Sequence, residues 1–207
     1  MTPDELRQIL VDCLTPDYET KFKIKRNDNV MNISGLTRGP RAYILMKDQQ
    51  NKRVKYLSPN GPNSYLIRGS AIHNYIEETM KEWLPQTNGL KWILPYNWQK
   101  LPFHDIVICG HVDAMKDNVI LEFKSTKLED EPGDGKRNKF NELVKLASRQ
   151  LGSYSQILKA STGIDYQCFV VVLNSQTHIF EISKEDQEHG WNYVQWCARE
   201  VARELDQ

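Results

Sequence analysis

Neither sign of charge dominates this chain. Lys plus Arg and Asp plus Glu number 27 each among 207 residues, so the formal net charge is zero. Any surface for a polyanion must therefore be a local patch and not a global field. No apolar run approaches membrane length, and Met1-Thr2-Pro3-Asp4-Glu5 lacks the basic-then-apolar character of a signal peptide. The four cysteines, Cys13, Cys109, Cys168 and Cys197, show no C-x-x-C or comparable spacing. That argues against a zinc site or a disulfide framework and for free intracellular thiols. Repeats and low-complexity tracts are missing too. The expectation is a soluble intracellular protein with no membrane partner. What is present is 40% hydrophobic and 26% charged residues, enough to bury a real core. The length suits one domain over 1–207, with a helical elaboration at 1–65, a core at 66–182 and a terminal helix at 183–207.

The stretch from Gly110 to Lys124 holds the most chemistry. Apolar residues run up to Gly110, Asp117-Asn118 is turn chemistry, and Val119-Ile120-Leu121-Glu122-Phe123-Lys124 alternates apolar with charged. This predicts a β-hairpin. With 117–118 as its turn, directly opposed residues have numbers summing to 235, so Asp113 faces Glu122 and His111 faces Lys124. Side chains alternate along a strand, which puts these four on one face and sends Leu121 and Phe123 into a core. Opposed carboxylates repel, and a divalent cation between them is the natural remedy. The stretch alone admits two readings: a metal-and-water site, or the solvated face of an amphipathic hairpin.

Around it, Thr2 and Glu5 make a capping box for a short N-terminal helix, and residues 21–26 alternate like a strand. Ser34 is placed to cap a helix carrying Arg38 to Leu45, and the polar residues 48–64 read as a loop. A helix is predicted over 66–84, with Ile72, Ile76, Met80 and Trp83 on its apolar face and His73 and Glu77 on its flank. Leu90–Trp98 and Phe103–Cys109 look like strands. Ser125–Lys136 is a charged loop and a candidate flap. A long helix follows from about Asn138 to Ala160, striped by Phe140, Leu143, Val144, Ala147, Leu151, Tyr154 and Leu158. From Lys136 to Lys159 it gathers Lys136, Arg137, Lys139, Lys145, Arg149 and Lys159 against the single acid Glu142. This is either a basic patch or a solvated helix face. Tyr166–Leu173 reads as a buried strand paired with His178–Ile182, and Ser183 caps a last helix whose apolar face uses Trp191, Val194, Cys197, Val201 and Leu205. The order predicts an α/β fold with a mixed central sheet flanked by helices.

In that order the chain resembles the PD-(D/E)XK nuclease superfamily, and within it the RecB-type and CRISPR-associated exonucleases, in five places. A serine followed by Cys-Pro-Arg in those proteins is matched by Ser34 through Gly39-Pro40-Arg41. Their G-x-x-x-H is matched by Gly69–His73, their G-x-x-D by Gly110–Asp113, their E-x-K by Glu122–Lys124, and their Q-x-x-x-Y by Gln150–Tyr154. The resemblance spans 34–154, most of the chain, and implies a restriction-endonuclease-like core over 66–182. Where those relatives place an iron–sulfur cysteine this chain has Gly39, and Cys168 and Cys197 lie far apart, so no iron–sulfur cluster is expected.

The resemblance implies a metal-dependent deoxyribonuclease with Asp113, Glu122 and Lys124 as catalytic residues. His73, Asp113, Glu122 and the Phe123 backbone carbonyl would hold Mg²⁺ or Mn²⁺, and the products would carry 5′-phosphate and 3′-hydroxyl ends. Gln150, Tyr154, Arg149 and Lys145 are the expected substrate-binding residues, and His111 a supporting one. Taken singly, His73 would be a structural histidine, Gln150 a surface amide and Tyr154 a core-edge aromatic. Single-stranded DNA is the expected partner, since basic residues are concentrated on one helix and the acidic 125–137 loop would obstruct a duplex. Exonuclease and endonuclease action both remain open, as does a homo-oligomer. The alternatives are a duplex- or junction-cutting endonuclease, and an inactive nucleic-acid-binding protein on the same fold.

Overall fold

The structure is a computed structural model and describes residues 28–51, 75, 78–83, 89–126, 136–174 and 177–207. The expected N-terminal capping box and helix, the strand at 21–26, the Gly69–His73 motif and the flap at 127–135 lie outside the described residues. β1 (Val30–Asn32) leads into α1 (Ile33–Leu36), a single helical turn, and then α2 (Pro40–Asn51). After a 3-10 turn at Lys81–Trp83 come β2 (Leu90–Pro95), β3 (Asp105–Gly110), β4 (Ala114–Lys116) and β5 (Val119–Ser125). The long helix α3 (Lys136–Thr162) is followed by β6 (Gln167–Leu173), β7 (Thr177–Ile182) and α4 (Lys184–Leu205).

The strands form two mixed sheets, where one central sheet was expected. The first has the order β1-β3-β2, with β1 parallel and β2 antiparallel to β3; the second has the order β4-β5-β6-β7. In the second, β5 runs parallel to β6 and the other two pairings are antiparallel. A parallel pair needs a crossover between its strands, and α3 supplies it for β5 and β6. The sheets separate because β3 does not run on into the hairpin. It stops at Gly110, residues 111–113 bend, and β4 begins at Ala114 in the other sheet. The α/β class stands.

Burial explains the elements. In α3 the stripe Phe140, Ala147, Leu151, Tyr154 and Leu158 is buried, with Leu143 and Val144 packed at its margin. β6 is covered on both faces. Cys168, Val170 and Val172 join the main core beneath α3, while Val171 joins Ala114 and Phe123 in a second cluster under Met80 and Trp83. Removing Leu151 from such a core costs about 2–5 kcal/mol. α4 is capped by Ser183, whose hydroxyl accepts from the Asp186 N–H at 3.1 Å, and it buries Val194, Cys197, Ala198, Val201 and Ala202. The two long helices meet backbone to backbone. A side chain at Gly152 would lie 2.5 Å from the Gln187 carbonyl oxygen, and one at Gly190 would lie 2.8 Å from the Arg149 Cα. At the far end of α4 the Asp206 carboxylate accepts the backbone N–H groups of Gln99 at 2.6 Å, Lys100 at 2.8 Å and Leu101 at 3.3 Å.

Several boundaries differ from expectation. Asn32, not Ser34, is the cap of α1, accepting from the Gly35 N–H at 2.9 Å, and Ser34 lies inside that turn. The expected single helix is broken at Gly39, whose φ of 100° only glycine adopts readily, and α2 restarts with Pro40 at its first position. α2 then runs on to Asn51, into the expected loop. β2 ends at Pro95, three residues short of Trp98, and β3 starts at Asp105. Thr79 is helical but Met80 is not, and the last expected turn of helix 66–84 is the 3-10 turn.

Candidate active site

The hairpin has the expected register. Lys116 pairs with Val119 across Asp117-Asn118, Ala114 pairs with Leu121, and Asp117 has φ 53°, as such a turn requires. The ladder stops at Ala114 because the Asp113 side chain takes its place: Oδ2 accepts the Phe123 N–H at 2.8 Å. The N–H and C=O of a residue in an extended strand leave on the same side. The Phe123 carbonyl therefore also faces the Asp113 edge, while its ring points to the opposite face, in the second cluster.

Glu122, next along β5, points the other way, toward α3. It is 1% exposed and accepts a close ion-paired hydrogen bond from Lys124 Nζ on Oε1. Its second oxygen, Oε2, is buried with no hydrogen-bond partner among the described residues. Burial pushes its pKa up to about 8, against the lowering effect of Lys124 and with a further upward push from Asp113. Lys124 Nζ also donates to Gln150 Oε1 at 3.4 Å, and Gln150 Nε2 donates to the Tyr154 hydroxyl at 2.7 Å. Burial first, then the negative charge of Glu122, holds the Tyr154 phenol well above its ordinary pKa, against hydrogen bonds from Gln150 and the His111 backbone. β5 and α3 thus bring Asp113, Glu122, Lys124, Gln150 and Tyr154 into one connected group.

Gly110 makes this convergence fit. A Cβ there would come within 2.5 Å of the Tyr154 ring, so the end of β3 and the site helix touch only because residue 110 has no side chain. A glycine closing a buried strand is a readable sign of close backbone approach. Its partner across the fold is not readable from the local sequence.

Other predicted site residues lie elsewhere. The His111 ring is exposed and occupies the space that a side chain on Gly89 would need, so the residue meets the group through its backbone at Tyr154. Arg149, expected to hold substrate, is committed to the fold: Nη1 donates to the Thr37 carbonyl at 3.0 Å and the guanidinium lies 3.6 Å from the centre of the Tyr193 ring. It points to α4 because consecutive helical residues diverge, so Arg149 and Gln150 cannot share a face. Lys145 is exposed on α3. His73 lies outside the described residues, as does Cys13; Cys109, Cys168 and Cys197 are not joined in disulfides.

Among the described residues no three His, Cys, Asp or Glu side chains gather as a complete metal site. The donors that are present nevertheless suit a hard divalent cation. Two carboxylates interact electrostatically, one buried carboxylate oxygen lacks any partner, and a carbonyl lies on the Asp113 edge.

No family model matches the chain, and no curated protein matches it by sequence. Solved structures do resemble it. The crystal structure of SSO0001 aligns with 100% of this chain and 88% of its own at a TM-score of 0.55 and 14% identity, which shows a shared fold. A provisionally assigned exonuclease from Eubacterium rectale aligns over 86% of this chain and 81% of its own at 0.45 and 12%. LHK-Exo, solved in complex with dAMP, aligns over 86% and 90% at 0.42 and 14%. No described helix is long and apolar enough to cross a membrane.

Proposed function

We propose that this chain is a divalent-metal-dependent deoxyribonuclease that hydrolyses phosphodiester bonds and prefers single-stranded DNA. One observation carries the reading: Glu122 is buried beside Asp113 and Lys124 with one carboxylate oxygen left without a partner. A buried carboxyl oxygen without a partner is costly for a fold to keep, and a cation is what would satisfy it. The motif order in the sequence independently points to the same chemistry.

Asp113, Glu122 and the Phe123 carbonyl would hold Mg²⁺ or Mn²⁺, with His73 as a further proposed ligand. When bound, the ion would polarise the scissile phosphate and acidify a water. Lys124, as an ammonium, would orient that water by donating to its oxygen and offset the negative charge that grows on the phosphate oxygens. Gln150 restrains the Lys124 ammonium through Oε1 and is itself fixed by Tyr154, so the lysine is held from two sides. Tyr154 stays protonated through the physiological range and acts as a neutral hydrogen-bonding brace.

The preference for single strands now rests on fewer residues, because Arg149 is occupied by Thr37 and Tyr193. It retains the exposed Lys139 and Lys145 on α3 and the acidic 125–137 segment. The test is cleavage of end-labelled single-stranded, duplex, branched and circular single-stranded DNA with Mg²⁺, Mn²⁺ or chelator at fixed ionic strength. Cleavage should require the metal and run fastest on single strands. Full activity in excess chelator would remove the metal site, and equal cutting of blunt duplex would remove the substrate preference alone.

A further inference from the structure

Four strands end the two sheets among the described residues, and they differ in how their open edges are treated. β1 and β4 have three residues each, too short to template another chain. β2 carries the exposed Lys91 and finishes at Pro95. Short strands, lysines and prolines are the usual protections of an edge. β7 has none of them. Its six residues, Thr177-His178-Ile179-Phe180-Glu181-Ile182, contain no proline, glycine or lysine and a single charge, Glu181.

β7 also carries exposed apolar surface. Ile179 is 66% exposed, although its partner Val171 on β6 is buried. On the opposite face His178 and Phe180 stack 6.4 Å apart at 13°, and the edge of Phe140 packs against both. The two rings on that face are therefore braced by Phe140. Its ladder with β6 uses one side, and on the other side alternate residues direct N–H and C=O groups outward.

We infer that β7 is a self-pairing edge, at which a second copy of this chain adds antiparallel across a two-fold axis centred on Ile179. A two-fold pair of antiparallel strands must place like faces together, so opposed residue numbers sum to an even value. Centred on Ile179, Ile179 meets Ile179 of the second copy, Glu181 meets Thr177, and His178 meets Phe180. The only charge then lies opposite a hydroxyl that can donate to it, the exposed isoleucines cover each other, and no like charges oppose. The contact is small by the standard of stable interfaces, so the dimer forms in the micromolar range.

The experiment is sedimentation of the full chain from low to high micromolar concentration, with oxidative cross-linking of cysteine variants and the parent chain as background. The parent should pass from monomer to dimer. Ile179→Lys, at an exposed position, should keep its melting temperature and weaken the dimer about tenfold or more, because two lysines would meet at the axis. Ile179→Cys should cross-link to itself, since opposed Cβ atoms lie about 4.5–5.5 Å apart. Thr177→Cys and Glu181→Cys should cross-link only when mixed. A parent that stays monomeric at high micromolar concentration would overturn the inference. So would an undiminished dimer of a folded Ile179→Lys, or an Ile179→Cys that does not cross-link. The readout is mass, so this result and the nuclease assignment stand or fall separately.

Discussion

Glu122 and Asp206 are both carboxylates with almost no exposed surface, 1% and 8% respectively, and the protein treats them in opposite ways. Asp206 receives three backbone N–H groups from Gln99, Lys100 and Leu101, which together hold its pKa below the ordinary 3.8. Glu122 receives one lysine, keeps one oxygen without a partner, and is pushed up to about 8. The first is a clasp, in which both oxygens face donors and the carboxylate ties the β2–β3 connection to the end of α4. The second is left incomplete where five polar side chains converge. A fold that can satisfy a carboxylate so fully at one end, and does not at the other, has an unmet demand at Glu122 that a ligand can fill.

Removing Glu122 should have the largest effect and the sharpest contrast. Glu122→Gln should lower cleavage on the order of a thousandfold or more, while shifting metal-free stability near neutral pH by only about 1 kcal/mol, since a protonated carboxyl is exchanged for its neutral amide isostere. Denaturant melts beside rate measurements check both halves. Loss of folding together with activity would make Glu122 a structural residue like Asp206.

Metal comes next. Mg²⁺ or Mn²⁺ at a hundredfold above its dissociation constant should stabilise the chain by about 2.7 kcal/mol, and Glu122→Gln should abolish that gain while Asp206→Asn keeps it. Thermal melts with and without chelator decide this. An equal metal response in both variants would erase the distinction.

Gln150→Ala should cost about 1–3 kcal/mol by depriving the buried Tyr154 hydroxyl and Lys124 of a partner. It should slow cleavage with metal binding largely kept, as calorimetry would show. The smallest effect belongs to Asp206→Asn, which should lower the melting temperature modestly and leave cleavage unchanged.

The two carboxylates also separate by pH. Between pH 4.5 and about 8 the folded metal-free chain keeps a proton on Glu122 that the unfolded chain has released. That group's contribution to stability therefore falls as pH rises through this window and is level above it. Asp206 contributes fully above its ordinary pKa of 3.8 and loses its contribution as pH falls through its lower folded value. Glu122→Gln should flatten the neutral slope, and Asp206→Asn should soften the acid one, in stability measured from pH 2 to 9.

Much of the site was legible because its signals are local. Alternation in 119–124 and the Asp117-Asn118 turn suffice to fix the register that brings Asp113 to Glu122, and a helical spacing of four places Gln150 over Tyr154. The separation into two sheets was not legible, because the apolar run into Gly110 looks the same whether or not Tyr154 lies against its end. The packing of Arg149 was hidden for a related reason. A basic residue on a helix looks solvated until the distant Tyr193 and Thr37 are known to cover it. The Asp206 clasp joins positions 107 residues apart, Gln99 and Asp206, and leaves no pattern in either segment.

The paired glycines between α3 and α4 bear on how the site moves. Each helix sets bare backbone against its neighbour, at Gly152 on Gln187 and at Gly190 on Arg149, with Gln150 and Tyr154 in the turns between and beside these contacts. Sliding one helix along the other would drive Cβ atoms into backbone, so the pair has one seating and no graded series of them. Sliding between α3 and α4 is thereby disfavoured, so adjustment within this helix pair falls to side-chain rotamers, on the picosecond-to-nanosecond scale. The amides of Gly152 to Ser155 should accordingly exchange with solvent only through global opening, with or without ligand.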